Sequence, residues 1–322
     1  MCFSHQAQSK TFKIATIAPN GSFWMNMMKQ GAKEIKKETG GRVKFKFYPG
    51  GVMGSQGIVL KKMKIGQLHG GALTSGSLGA LYPDSQIYSL PLIFKTFKEI
   101  DFVRQKMDKQ ITEGLETAGI VTFGISEGGM AYTMSNKPVS RVSDLPKRKI
   151  WSPTDNKNVA LTLEAIDVTP IPLSIGDVFA GLQTNLIDTV ATSPAAAIAL
   201  NWHTKINYIT DVPLIYFYTV LALDKKAFNK ISTEDQLIVR RVMTDTVNKI
   251  DKKSRKDNFA ALDALQNQGI KLIKPNNEEL RDWYKKGNKA TDLIFSKGAI
   301  TDKTKNELMM HISTFRTQQA AL

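Results

Sequence analysis

An α/β fold in two lobes with a ligand cleft between them is what this sequence predicts, and three observations carry it. Strand-like and helical stretches alternate through the first hundred residues, and the same grammar restarts in the second half. From Ser232 onward a stretch holds neither proline nor glycine until Gly269. As a helix of ~36 residues it spans ~54 Å, too long for one small domain and therefore laid along two. A chain of 322 residues fits two lobes, since one hydrophobic core rarely serves that length.

"KTFKIATIAP" (10–19) reads as a strand running into a Pro-Asn-Gly turn. Ser22 is placed to cap a helix through "FWMNMMKQGAKEIKKETGG", with Phe23, Met27, Gly31 and Ile35 on one apolar line. "RVKFKFYPGG" alternates Val43, Phe45 and Phe47, a strand with one polar face. A helix over 56–65 and a strand over 68–74 complete β-α-β-α-β, a parallel open sheet. Next come a helix over 97–118, the strand "GIVTFGIS", and the extended "AYTMSNKPV". The phrase "DLPKRKIWSPTDN" gives a strand over 148–152, with Ser152-Pro153-Thr154 as a helix start, a helix over 155–166, then "VTPIPLS" and the amphipathic "GDVFAGLQTNLID". "VPLIYFYTVLAL" (212–223) is too short to span a membrane, which needs ~20 residues; its β-branched and aromatic content makes it a buried strand. After the long helix, which would otherwise break near Lys252–Ser254, "IKLIKP" adds a strand and two amphipathic helices end the chain.

Net charge is +15, from 44 Lys and Arg against 29 Asp and Glu. The cations are dispersed and nowhere interleaved with stacking aromatics, so they describe a solubilised surface that attracts anions rather than a nucleic-acid groove. With Cys2 alone there is no disulfide framework, and the four histidines lie far apart without ligand spacing, so no metal or other cofactor is expected. "APNGSFW" after the first strand is not a phosphate loop, and no GxSxG elbow occurs. His69 and His203 have no acid in local register; Glu278 and Glu279 suit a helix start, and Asp188 suits a cap. No residue earns a catalytic assignment.

Polar and aromatic residues do gather where strands meet loops. Asn20, Ser22 and Phe23 follow the first strand, and Thr74, Ser75 and Ser77 the third. Trp151 and Thr154 follow the strand of the KRKIW phrase, Ser193 precedes Pro194, and Tyr216 and Tyr218 lie on the long apolar strand. In doubly wound sheets such junctions converge at one edge, where ligands bind. Each residue taken singly also suits packing or capping.

"YPGGVMGSQ", "LKKMKIGQLHGGALTSGSL", "YPDSQIYSLPLIF", "SNKPVSRVSDLPKRKI" and "TPIPLSIGDVFAGLQTNLIDT" together resemble the solute-binding proteins of TRAP transporters, the DctP-like family, over nearly the whole chain. The resemblance implies a periplasmic-binding-protein-type clamp with mixed sheets, hinge strands and a helix spanning both domains. These would be 11–126 with 218–252, and 127–217 with 253–322. It further implies a periplasmic monomer without catalysis that hands a small molecule to membrane permease subunits. "MCFSHQAQSK" has neither a basic nor an apolar targeting segment, so on this reading the segment has been removed, and Cys2 is either a lipid-attachment remnant or incidental.

In the family, a phrase resembling D-L-K-G-L-K-I-R ends in an arginine that grips the ligand's carboxylate. Here "DLPKRKIW" puts Trp151 in that place, a second arginine of some relatives falls at Ala131, and Ile175 joins the implied cleft residues. Tryptophan offers one donor and a large apolar face, not a bidentate fork. The favoured expectation is an apolar, aromatic or neutral ligand stacked by Trp151 with Tyr216 or Tyr218. The second is an acid bound through backbone, Thr154, Ser193 or Lys149. The third is that Trp151 fills space. A nucleic-acid binder and an uncharacterised enzyme stand as the other classes.

Overall fold

The computed structural model describes residues 9–321, so Cys2 lies outside the described residues. The first lobe is built as expected from β1 (Lys10–Ala15), α1 (Phe23–Glu38), β2 (Val43–Tyr48), α2 (Gln56–Lys64) and β3 (Gly70–Thr74), with β2-β1-β3 parallel. Ser22 caps α1 by accepting from the Met25 N–H. The buried stripe is Met25, Met28, Gly31, Ala32 and Ile35, which leaves Met27 partly buried and Phe23 exposed. Gly31 lets α1 approach the long helix closely, since a Cβ there would stand 2.7 Å from Thr246 Oγ1.

A short α3 (Ser75–Leu78) and a 3-10 turn (Pro83–Ser89) lead to α4 (Phe97–Thr117). The expected strand "GIVTFGIS" is interrupted: β4 (Ile120–Val121) ends before Gly124 at φ +109°, and β5 (Ser126–Ser135) then crosses to the second lobe. That lobe holds β6 (Trp151–Pro153), α5 (Lys157–Glu164), β7 (Ile171–Leu173), α6 (Val178–Gln183), β8 (Thr189–Thr192) and α7 (Pro194–Ala199). The expected helix start at Ser152-Pro153-Thr154 is instead the end of β6 and a turn; Asn156 caps α5 by accepting from the Val159 N–H.

The apolar run becomes β9 (Tyr208–Asp224), followed by α8 (Lys225–Phe228), α9 (Thr233–Asn267), β10 (Lys271–Ile273), α10 (Asn277–Ser296) and α11 (Asp302–Ala320). β9 pairs antiparallel with β3 and β4 at one end and with β5 along the rest, and β10 runs parallel to its start. The sheet is therefore mixed, in the order β2-β1-β3-β9-β5-β8, and β6-β7 form a separate parallel pair. α9 is unbroken through all 35 residues, from Ser232, which accepts from Asp235 N–H, to Gly269 at φ +94°. α11, expected in the second lobe, packs on α4 through Leu308 and Ile312 in the core that holds Val103, Met107 and Ile111.

Near Lys252–Ser254, where the alternative reading would break α9, charge pins it. Arg104 of α4 reaches Asp251 of α9 at 3.0 Å and donates to Tyr216 Oη at 3.1 Å, while Asp251 also accepts from the Glu127 N–H at 2.7 Å. Arg255 holds Asp101 through paired 2.7 Å bonds and Glu127 at 2.6 Å. Ionised partners in a fork make these bonds short and directional.

His69 is structural. Its Nδ1 accepts the Lys13 N–H at 3.0 Å and its ring meets Phe12 edge-on at 5.9 Å. Burial, with Lys10 and Lys13 close by, lowers its pKa from 6.5. The unfolded chain thus binds this proton more readily, so the stability His69 contributes is whole above 6.5 and is lost as pH falls through the lowered folded value. The urea midpoint is expected to drop between pH 7 and pH 5 by more in the wild type than in His69→Gln; equal slopes would remove His69 as a cause.

Candidate functional site

A cavity of about 220 Å³ lies between the lobes, at the ends of strands from both. The β3-α3 corner supplies Thr74, Ser75 and Gly76; β5 supplies Ala131 and Thr133; β6 supplies Trp151 and Pro153. β9 adds Leu214, Ile215 and Phe217, and α10 closes the far side with Trp283, Lys286 and Gly287. The lips touch across the cleft. Asp155 accepts from the Gly57 N–H at 3.1 Å, and a Cβ on Gly76 would lie 2.2 Å from Asn156 Nδ2, so a side chain there would push Asn156 aside.

Carbon dominates the walls, and much of the polar lining is already engaged. Trp151 is 7% exposed, stacks edge-on against Trp202 at 5.2 Å, and donates its Nε1–H to Leu173 O at 3.0 Å. Its one donor is therefore spent, and what faces the cavity is ring. Thr74 Oγ1 lies 3.3 Å from Gln56 Oε1, Ser75 and Ser89 hydroxyls bond each other at 3.0 Å, and Thr162 donates to Asn158 O at 2.7 Å. Among the described residues, the lining contains no arginine, histidine, aspartate or glutamate, and Lys286 is its one charged side chain.

Leu92 carries strain beside this cavity. Its φ is +55°, its N–H bonds Leu214 O at 2.6 Å, and a Cβ on Gly287 would come within 2.8 Å of its Cδ1. A left-handed leucine costs of order 1–3 kcal/mol and persists only where packing fixes it. The tie to β9 and the close α10 backbone are what fix it here.

Of the residues singled out from sequence, Thr74, Ser75, Ala131, Trp151 and Ile175 line the cavity. The others stand elsewhere. Asn20 is exposed and accepts from Lys29 Nζ at 2.6 Å. Phe23 is 36% exposed beneath Lys253, whose Nζ sits 4.9 Å from the ring centre. Thr154 is exposed in the turn after β6, and Ser193 is buried capping α7 through the Ala196 N–H. Lys149 faces outward, donating to Asn185 O at 2.9 Å.

Tyr216 and Tyr218 lie on the opposite face of β9 from the cavity, because alternate strand residues point to opposite sides. Tyr216 Oη joins the Arg104 cluster and Tyr218 donates to Ser85 O at 2.7 Å; burial pushes both phenol pKa values up, keeping them protonated. Ile215 and Phe217 take the cavity-facing positions instead. Trp283, Lys286 and Gly287 were also not anticipated, although their i, i+3, i+4 spacing marks one helix face.

Trp151→Phe keeps an aromatic wall but removes the donor to Leu173 O. An unfolding free energy lower by about 1–3 kcal/mol is expected in urea, from an acceptor left buried and unpaired. An unchanged value would mean that the Leu173 bond contributes nothing.

Comparison with known proteins places the chain in context. Residues 14–298 match the DctP family model, described as bacterial extracellular solute-binding protein, family 7. The sialic acid-binding periplasmic protein SiaP of Vibrio cholerae is 21% identical over 284 residues, covering 84% of this chain and 85% of that protein. The ectoine/5-hydroxyectoine-binding periplasmic protein UehA of Ruegeria pomeroyi is 27% identical, covering 60% of this chain and 58% of its own. A TRAP periplasmic solute-binding protein from Xanthobacter autotrophicus, solved with β-D-galacturonate, superimposes with a TM-score of 0.85 at 18% identity over 94% of this chain and 99% of that one. One from Haemophilus influenzae with L-gulonate gives 0.85 at 20% identity, again over 94% and 99%.

Proposed function

We propose that this chain, which belongs to the DctP family and is a TRAP-type extracytoplasmic solute receptor, captures a ligand with a mainly apolar or aromatic body in its interlobe cavity. The observation that carries the reading is Trp151, standing in the wall with its only N–H committed to Leu173 O. In this family, as the sequence resemblance has it, that place belongs to an arginine gripping a carboxylate. Ala131 stands in for the second arginine and also lines the cavity. The sugar acids named for the structural neighbours need polar partners at many hydroxyls, and this lining offers few. A buried hydroxyl without a partner costs about 1–3 kcal/mol, so such ligands fit these walls poorly.

On this reading the receptor works in the periplasm as a monomer and delivers its ligand to TRAP permease subunits. Closure turns the first lobe, with α11 packed on α4, against the second lobe of 127–217 and α10, while α9 runs unbroken along both. With the lobes divided at 126/127 and 217/218, the hinges would be the neighbouring paired segments of β5 and β9, where small dihedral changes swing one lobe against the other. Among the described residues no helix is long and apolar enough to cross a membrane. An acidic head group on the ligand is a second reading, favoured by Lys286 in the wall.

The test is a thermal-shift screen of protein unfolded and refolded to strip bound ligand. Hexuronates and small dicarboxylates are set against aromatic and longer-chain compounds. A ligand at about 100 times its Kd adds about 2.7 kcal/mol, several degrees in Tm. The apolar set is expected to shift Tm and the hexuronates not. Trp151→Ala should abolish the shift, and so should Ala131→Leu, which fills the cavity without opening a void. Stabilisation by hexuronates alone would overturn the reading.

A further inference from the structure

We propose that Lys286 anchors the ligand's head group, so that the ligand is an amphipathic monoanion: an apolar or aryl body bearing one carboxylate or sulfonate. The inference rests on the cavity being the ligand site and adds the charge of what fills it.

Helix geometry aims Lys286 inward. Trp283, Lys286 and Gly287 are spaced i, i+3, i+4, and all three line the cavity. Trp283 is 3% exposed, with its Nε1–H fixed on Ser140 O at 2.9 Å, and Gly287 abuts Leu92. These two contacts set the rotation of α10. Lys285 and Lys289 accordingly fall on the exposed side of the helix, whereas Lys286 is half-buried.

Its ammonium also makes no ion pair among the described residues, although Asp282 lies one turn earlier on α10. Three cations of this lobe have oxygen partners: Arg141 reaches Glu279 at 3.0 Å, Arg148 lies 3.9 Å from Asp188, and Lys149 donates to Asn185 O. The lysines without one, such as Lys285 and Lys289, are exposed to water, as Lys286 is not. Lys286 has no hydrogen-bond or ion-pair partner among the described residues, and the wall around it contains no carboxylate. An ammonium held beside carbon keeps its cost until an anion arrives. Its four-carbon stem can lie along the apolar wall while the head stays at the wetter rim. Three rotatable donors ask for no planar fork, so a tetrahedral sulfonate serves as well as a carboxylate. The anion then sits at the rim, with its body running inward toward Trp151 and Phe217.

The experiment compares matched ligands that differ only in the head: octanoate, octane-1-sulfonate and 1-octanol, with 4-phenylbutyrate against 4-phenylbutanol. Titration calorimetry is run on refolded wild type, Lys286→Met, Lys286→Gln and, as a control for net charge, Lys285→Met. Both anions are expected to bind wild type about tenfold or more tightly than the alcohol, the scale of one charged hydrogen bond. Both Lys286 variants should lower the anions to the alcohol's affinity while leaving the alcohol unchanged, and Lys285→Met should alter neither. Equal binding of acid and alcohol by wild type overturns the Lys286 proposal but leaves the apolar cavity standing. So does an acid preference that survives in both Lys286 variants. Failure of every acid and alcohol to bind wild type sinks the apolar reading, and this proposal with it.

Discussion

Tyr216 Oη takes a hydrogen bond from Arg104 on one side of β9, while Ile215 and Phe217, its neighbours along the strand, line the cavity on the other. That alternation separates two chemistries that could not share a face. Behind the strand, Arg104 and Arg255 gather Asp101, Asp108, Glu127 and Asp251 from α4, β5 and α9. Glu127 is 4% exposed, and a charge so buried is tolerable only when paired and hydrogen-bonded. The network therefore fixes where α9 crosses β5, and with it the line about which the lobes meet. In front of the strand nothing polar is required, and apolar side chains fill the surface.

The cavity follows from this division. Its polar edges come from strand ends and caps whose hydrogen bonds are largely made within the fold, so their main contribution is shape. The Trp151 ring, braced by Trp202 and held by Leu173 O, is a rigid apolar plate in the wall. Leu92, held at φ +55° between β9 and α10, adds a second fixed surface. On the proposed reading, binding here draws on area removed from water, worth about 25 cal/mol per Å², rather than on a bidentate salt bridge. The lone ammonium on α10 then selects by charge at the rim.

Much of this was legible from residue order. Caps at Ser22 and Ser232, the glycine at Gly269 and the period-2 pattern of β2 placed their elements within a residue or two, because those signals are local. Trp151, Thr74 and Ser75 were found because strand ends converge in such sheets. Which face of β9 meets the cavity was not legible. A strand buried on both sides has no hydrophobic alternation to read, and the irregular pairing with β5 between Ala131 and Met134 adds to the ambiguity. The aromatic pair Tyr216 and Tyr218 drew the assignment to the wrong side, since their partners Arg104 and Ser85 are distant in sequence. α10 was unreadable as a wall for the same reason. Asn156 capping α5, instead of a start at Thr154, turned on which of several capping residues the β6 turn brought into line.

The most direct measurement is calorimetric titration of refolded protein with unbranched monocarboxylates of increasing length. If carbon burial drives recognition, affinity climbs about fourfold per methylene, from about 0.8 kcal/mol each, until the chain outgrows the cavity, and the heat-capacity change on binding becomes more negative with each step. Affinity that is flat with length, or that peaks at the shortest acids, would contradict an apolar cavity and return recognition to polar groups.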